Sequence, residues 1–204
     1  MNSWIEREID DWHPDLIAHL LMLMSRIIDK GLALIRNSLK QPIKTDYLSL
    51  IVNFCSLMEA FFRPEYCPRI EDEKKNFIKY IEKVFVFCLV WSLGGALDVN
   101  GMTKFDRLVT DNIGVELPRG ELYSYFIDTE ALNGDWIAWD KYVPSFIYNP
   151  EMSYFDLVVP TVNTMRFSWL LKEQIKVNRP VFITGYTGVG KSIIINDTLN
   201  HLKD

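Results

Sequence analysis

Cationic clusters are missing from this 204-residue chain: no run of Lys and Arg is longer than Lys74-Lys75, and the formal net charge is −5. Proteins that grip a phosphate backbone usually carry a basic stripe, so no nucleic-acid partner is expected. Long apolar runs are missing too. The longest, Val84 to Leu97, is broken by Ser92, Gly94 and Gly95 and falls short of the ~20 residues a spanning helix needs, so a soluble protein with no membrane partner is expected. The acidic segment from Met1 to Asp15 has neither the basic nor the apolar region of a secretory signal. Cysteine is sparse as well. Cys55, Cys67 and Cys88 sit at spacings that fit no zinc pattern, and their odd number makes a poor disulfide framework, which points to reduced thiols in apolar surroundings.

What remains is ordinary globular composition, 49% hydrophobic and 24% charged, in a chain long enough for one large domain or two small ones. From Trp12 to Leu39 apolar residues recur every three or four positions (Leu16, Leu20, Leu23, Ile27 and Leu34), which predicts a helix with a broad buried face. Pro42 ends it. A second amphipathic helix is expected over about Asp46 to Phe62, closed by Pro64 and Pro68. After the charged stretch Glu71 to Lys75, Phe77 to Leu97 is apolar on all sides, as suits a helix buried in a bundle, with Gly94-Gly95 allowing close packing or marking its end.

Beyond Leu97 the texture changes. Gly101, Gly114, Pro118, Gly120, Gly134 and Pro144 punctuate the aromatic stretches Leu122 to Ile127 and Trp136 to Tyr142, favouring short strands or hairpins over long helices. Trp136 and Trp139 read as a local hydrophobic clamp rather than a ligand cage. Phe155 to Val159 reads as a strand, Thr161 as the N-cap of a helix from near Val162 to near Asn178, and Val181 to Thr184 as a buried strand stopped from continuing that helix by Pro180.

Gly185 to Ser192 then reads GYTGVGKS, and Ile193 to Leu202 opens another helix. The octapeptide fits the phosphate-binding pattern GxxxxGK[S/T] in its required order of strand, loop and helix. Backbone N–H groups of Gly185, Gly188, Val189 and Gly190 would close around phosphates, Lys191 would meet the β/γ oxygens, and the Ser192 hydroxyl would hold Mg²⁺. Nucleotide binding follows; hydrolysis needs more. It takes an acidic strand end to order Mg²⁺ and water, and usually an arginine from a neighbour. Among upstream carboxylates, Asp98, Asp106, Asp128 and Asp156 are candidates by type, yet none ends a clear hydrophobic parallel strand, and no catalytic residue is assigned. With twelve residues after Ser192, the chain alone is expected to show no ATPase activity. A small nucleotide kinase is a poorer reading, because such enzymes build their sheet after the loop. A single strand without neighbours also buries neither face, so poor stability of the C-terminal part is expected.

The stretch Val159-Pro-Thr-Val-Asn-Thr-Met-Arg-Phe-Ser-Trp-Leu-Leu171, followed by Arg179-Pro-Val-Phe-Ile-Thr-Gly-Tyr-Thr-Gly-Val-Gly-Lys-Ser192, resembles the start of the third AAA+ module of dynein heavy chains. Phe85 to Leu97, Lys104-Phe105-Asp106 and Trp136 to Pro144 resemble the family's stretch between the second and third modules. The resemblance implies an α-rich fragment of a larger ring. Residues 1–100 would be the helical small subdomain of the preceding module, and 101–204 the start of the next α/β P-loop subdomain, ending just after the phosphate loop. It implies that Val159, Pro160 and Thr161 lie near the adenine of ATP or ADP, unless that stretch is only a strand-to-helix turn. Two departures stand out: Asn163 where the family commonly has Asp, and Tyr186 where Pro is common. Neither removes a phosphate donor. In the family the third module regulates the motor more than it drives it, and TGVGKS is closer to axonemal than to cytoplasmic forms, with an inner arm favoured. The implied partners are the rest of the heavy-chain ring, intermediate and light chains, and microtubules; the implied location is the cytoplasmic cytoskeleton, in the axoneme of a cilium or flagellum. A nucleotide-binding scaffold that never hydrolyses is the competing reading, separated from the motor by whether an apolar strand ending in Asp-Glu follows further along the gene.

Overall fold

The computed structural model describes residues 2–9, 14–62, 74–129, 134–147 and 158–202. The chain divides into two compact units, Met1–Trp136 and Ile137–Asp204. The first is a helical assembly of α1 (Asn2–Glu8), α2 (Pro14–Ser38), α3 (Tyr47–Phe61), α4 (Lys74–Leu93) and α5 (Val99–Asn112), followed by a short 3-10 turn and strand β1 (Tyr125–Ile127). β1 pairs with β2 (Trp136–Ala138), the strand within which the division falls. In the second unit, α6 (Trp139–Tyr142) is followed by α7 (Val162–Lys176) and α8 (Lys191–Asn200).

The three long periodic segments form helices as their patterns predict. Asp46 starts α3 by accepting the Ser49 N–H at 2.9 Å, satisfying a donor that the helix itself leaves open. α4 is the central helix, packed on α2, α3 and α5. Every side chain from Val84 to Val90 is buried, so the all-round apolar reading holds. Aromatic edges lock it to α3: Phe54 meets Phe85, and Phe61 meets Phe87, each pair at 5.4 Å between ring centroids, while the Tyr80 hydroxyl donates to the Phe61 carbonyl at 3.0 Å. Cys55 and Cys88 are buried in this core, and burial pushes the Cys88 thiol far above its ordinary pKa. Cys67 lies outside the described residues. Among those residues no helix is long and apolar enough to cross a membrane, and no three or more His, Cys, Asp and Glu side chains are grouped as ligands for a metal ion.

The expectation of strands rather than long helices beyond Leu97 is corrected by α5. Asp98 accepts the Gly101 N–H at 2.7 Å as its N-cap, and Phe105 and Val109, one turn apart, are both fully buried. Gly101 misled the reading because it falls in the first turn. There a side chain would crowd Leu97, whose Cβ lies 3.1 Å from where a Cβ would stand. The composition break near residue 101 therefore does not coincide with the division between the units, for α5 packs on α2 and α4. The aromatic stretches do supply the short strands β1 and β2. The strand expected over Val181 to Thr184 is likewise corrected. The segment is irregular, Phe182 is 88% exposed, and no strand lies beside it among the described residues, so neither face is buried. Of the strand expected over Phe155 to Val159, residues 155–157 lie outside the described residues and Val159 is irregular.

α5 also carries a buried carboxylate. Asp106 accepts the Leu122 N–H at 3.0 Å and the Thr110 hydroxyl at 3.4 Å, fastening α5 to the turn before β1. Burial, with some repulsion from Glu121, outweighs these bonds and holds its pKa above the ordinary 3.8. A raised carboxyl pKa means that the folded state binds the proton more tightly than the unfolded chain. The charged form therefore weakens the fold at neutral pH, and that penalty is relieved as pH falls through the raised value toward 3.8. Asp106→Asn keeps an acceptor for Leu122 without the charge, and its advantage over the parent in urea midpoint should shrink between neutral pH and about pH 4.5. Asp106→Ala, which strands a buried N–H, should lose about 1–3 kcal/mol at both.

Candidate functional site

The phosphate loop occupies the turn that enters α8. Gly188 and Gly190 have φ of 82° and 83°, a region that L side chains rarely adopt, so glycine is required where the loop curls back. Gly190 is the N-cap of α8, and no side chain caps it. The first N–H groups of the helix consequently face outward with the positive end of the helix dipole behind them, an arrangement that favours an anion. Lys191 folds over the loop. Its Nζ donates to the carbonyls of Gly185 at 3.0 Å and Tyr186 at 2.6 Å, so the cation is held by neutral oxygens that a phosphate would outcompete. Gly185, Tyr186, Gly188, Val189 and Ser192 are exposed, and Gly190 and Lys191 half-buried. The donor set thus fits a polyphosphate: backbone N–H groups, one ammonium and the hydroxyls of Tyr186, Thr187 and Ser192, with no carboxylate in the octapeptide.

Val159, Pro160 and Thr161 lead into α7. Val159 is 48% exposed, while the Thr161 side chain is spent on the helix. Its hydroxyl accepts the Thr164 N–H at 3.2 Å, and the Thr164 hydroxyl accepts the Thr161 N–H at 2.7 Å, a reciprocal cap that agrees with the N-cap read from the sequence. Asn163 accepts from Arg166 at 3.4 Å. α7 ends at Lys176, and Asn178 takes a left-handed φ of 55° before Pro180 turns the chain away.

One link was not anticipated. α7 and α8 pack together, and between them the buried Thr198 hydroxyl lies 3.0 Å from Ser168 Oγ while also bonding the Ile194 carbonyl at 2.6 Å. The helix that begins at the Val-Pro-Thr stretch is therefore pinned near its middle to the last turn of the helix that begins at the phosphate loop. Two hydroxyls thirty positions apart leave no local signature in a sequence. Trp139 is a core residue of the second unit, buried with its ring 5.9 Å from that of Trp169, while Trp136 is half-buried.

Of the upstream carboxylates, Asp98 caps α5 and Asp106 holds Leu122. The Asp128 N–H donates to the Asp135 carbonyl beside β1, and Asp156 lies outside the described residues.

Comparison with known proteins agrees with this arrangement. Residues 20–141 match the dynein heavy chain AAA lid domain, and residues 146–204 match the P-loop containing dynein motor region. Human dynein axonemal heavy chain 6 is 32% identical over 91% of this chain, and human dynein axonemal heavy chain 2 is 26% identical over 99% of it. The dynein-1-alpha heavy chain of the flagellar inner arm I1 complex of Chlamydomonas reinhardtii is 29% identical over 80%. The chain spans about 4% of the length of each of these relatives. A helical lid succeeded by the opening of a phosphate-loop region, matched in that order from residue 20 to residue 204, makes this chain a member of the dynein heavy chain family.

Proposed function

We propose that the chain is a nucleotide-binding segment of an axonemal dynein motor ring, contributing to ATP-dependent, microtubule-based movement of a cilium or flagellum. On this reading the first unit is the lid that closes the second AAA+ module, and the second unit opens the third. ATP or ADP lies with its phosphates at Gly185, Gly188, Val189, Gly190 and Lys191, with Mg²⁺ on Ser192 and the base toward Val159, Pro160 and Thr161. The rest of the heavy-chain ring, with intermediate and light chains, would surround it, in the axoneme. The observation that carries this reading is the uncapped start of α8 with Lys191 folded onto the loop carbonyls. The axonemal setting is supported by the names of the relatives.

The segment binds and does not turn over, because the octapeptide and its flanks supply phosphate donors but no carboxylate placed to activate water. A fluorescent ATP analogue titrated into the purified chain should bind more tightly with Mg²⁺ than with EDTA, without phosphate release. Ser192→Ala should lose roughly fivefold in affinity with Mg²⁺ present and nothing in EDTA. Equal binding in both buffers would remove Ser192 from the metal's coordination. Phosphate release sensitive to Lys191 would overturn the non-catalytic assignment.

A further inference from the structure

We propose that the first unit carries a second anion site, a cleft between the end of α2 and the start of α3 that takes the acidic side chains of a partner protein segment. The cleft encloses about 600 Å³ and is lined by Arg36, Lys40, Gln41, Lys44 and Tyr47, with Asp46 at its edge. Arg36, Lys40 and Lys44 fall within nine positions. Among the described residues no carboxylate pairs with any of them. Asp46 offsets one of the three charges and no more: one of its oxygens accepts the Ser49 N–H and the other the Ser49 hydroxyl at 2.7 Å, bonds that lower its pKa and keep it ionised, so the cleft retains a cationic excess.

The second observation lies at the centre of the cluster. Gln41 is oriented by its Oε1, which accepts the Thr45 N–H at 3.1 Å. That bond fixes the amide and leaves Nε2 buried without an acceptor among the described residues. A buried N–H group with no acceptor is destabilising, and an oxygen anion that displaced the side chains covering it would satisfy it while being met by the flanking cations. The loop that presents these groups is anchored, since the Asp98 N–H donates to the Lys40 carbonyl at 3.4 Å and Asp98 is itself the cap of α5.

The walls choose between a free anion and a peptide. Leu39 and Ile35 line the cleft, Tyr47 is 38% exposed at its mouth, and Ile43 and Leu48 beside it are 49% and 74% exposed. A free phosphate would use the cations and leave this apolar rim in water; a segment of alternating acidic and apolar residues uses both.

The test is fluorescence anisotropy on the full 204-residue chain with a labelled peptide of alternating Glu and Leu, its Gln-for-Glu counterpart, and inorganic phosphate as competitor. Only the acidic peptide should bind, losing about tenfold in affinity between about 50 and about 300 mM sodium chloride. Gln41→Glu keeps the acceptor for Thr45 and reverses the character of the floor. Both it and the Lys40→Glu, Lys44→Glu double variant should lose at least about tenfold with an unchanged melting curve. Equal binding of the two peptides, wild-type affinity in the variants, or no binding of the acidic peptide would overturn the proposal. None of these outcomes depends on the phosphate loop.

Discussion

Replacing Lys191 by Ala is expected to weaken nucleotide binding by about ten- to a hundredfold. Its ammonium is the one cation in the octapeptide, and each hydrogen bond between a cation and a phosphate oxygen contributes about 1.5–3 kcal/mol. Little structural loss should accompany this. Lys191 is linked only to the carbonyls of Gly185 and Tyr186, in exposed bonds, so the circular dichroism spectrum and melting midpoint should stay at parental values. Lys191→Arg should fail to rescue, because a planar guanidinium cannot replace a compact ammonium beneath a curled loop. A titration in which the Ala variant retains parental affinity would remove the phosphate loop from the binding site altogether.

The largest expected effect on stability is at Gly94, where α4 ends. A methyl group there would run into the Tyr123 hydroxyl and stand 2.8 Å from the Val90 carbonyl and 2.9 Å from Phe105. Tyr123 is itself buried, its ring set edge-on to Trp91 at 5.5 Å, and cannot swing aside. Gly94→Ala should therefore reach the upper end of overpacking, about 3 kcal/mol, and lower the melting midpoint by on the order of 10 °C. Tyr123→Phe is the companion measurement. The hydroxyl has no acceptor among the described residues, and burial raises its pKa far above the ordinary value. Removing it should leave the parent unchanged or slightly more stable, and should recover much of the loss in the Gly94→Ala background. A Gly94→Ala protein that melts like the parent would show that helix termination alone, not the seat for Tyr123, set the residue.

That glycine illustrates what was legible in the sequence. Helices α2, α3, α4, α7 and α8 announce themselves through periodicity and through local caps such as Asp46 and Thr161, because the groups that satisfy each other lie within one turn. The phosphate loop is equally local, since its glycines, lysine and serine all act on one curl of backbone. What escaped depends on distant partners. α5 read as short strands or hairpins because Gly101 hid the Phe105 and Val109 stripe, and Val181 to Thr184 read as a strand because β-branched and aromatic residues record what a backbone prefers and not what lies beside it. The match of Gly94 to Tyr123, the Ser168 and Thr198 contact, and the basic cleft around Gln41 all join positions whose spacing carries no periodic signal.

The segment Val181 to Thr184, exposed except at half-buried Ile183, leads directly into the phosphate loop, and among the described residues no strand lies beside its hydrogen-bonding edges. A strand that paired with that backbone and ordered the loop would be coupled to nucleotide, and by linkage each would change the other's affinity by the same factor. A nucleotide titration run with and without such a strand would read that coupling directly.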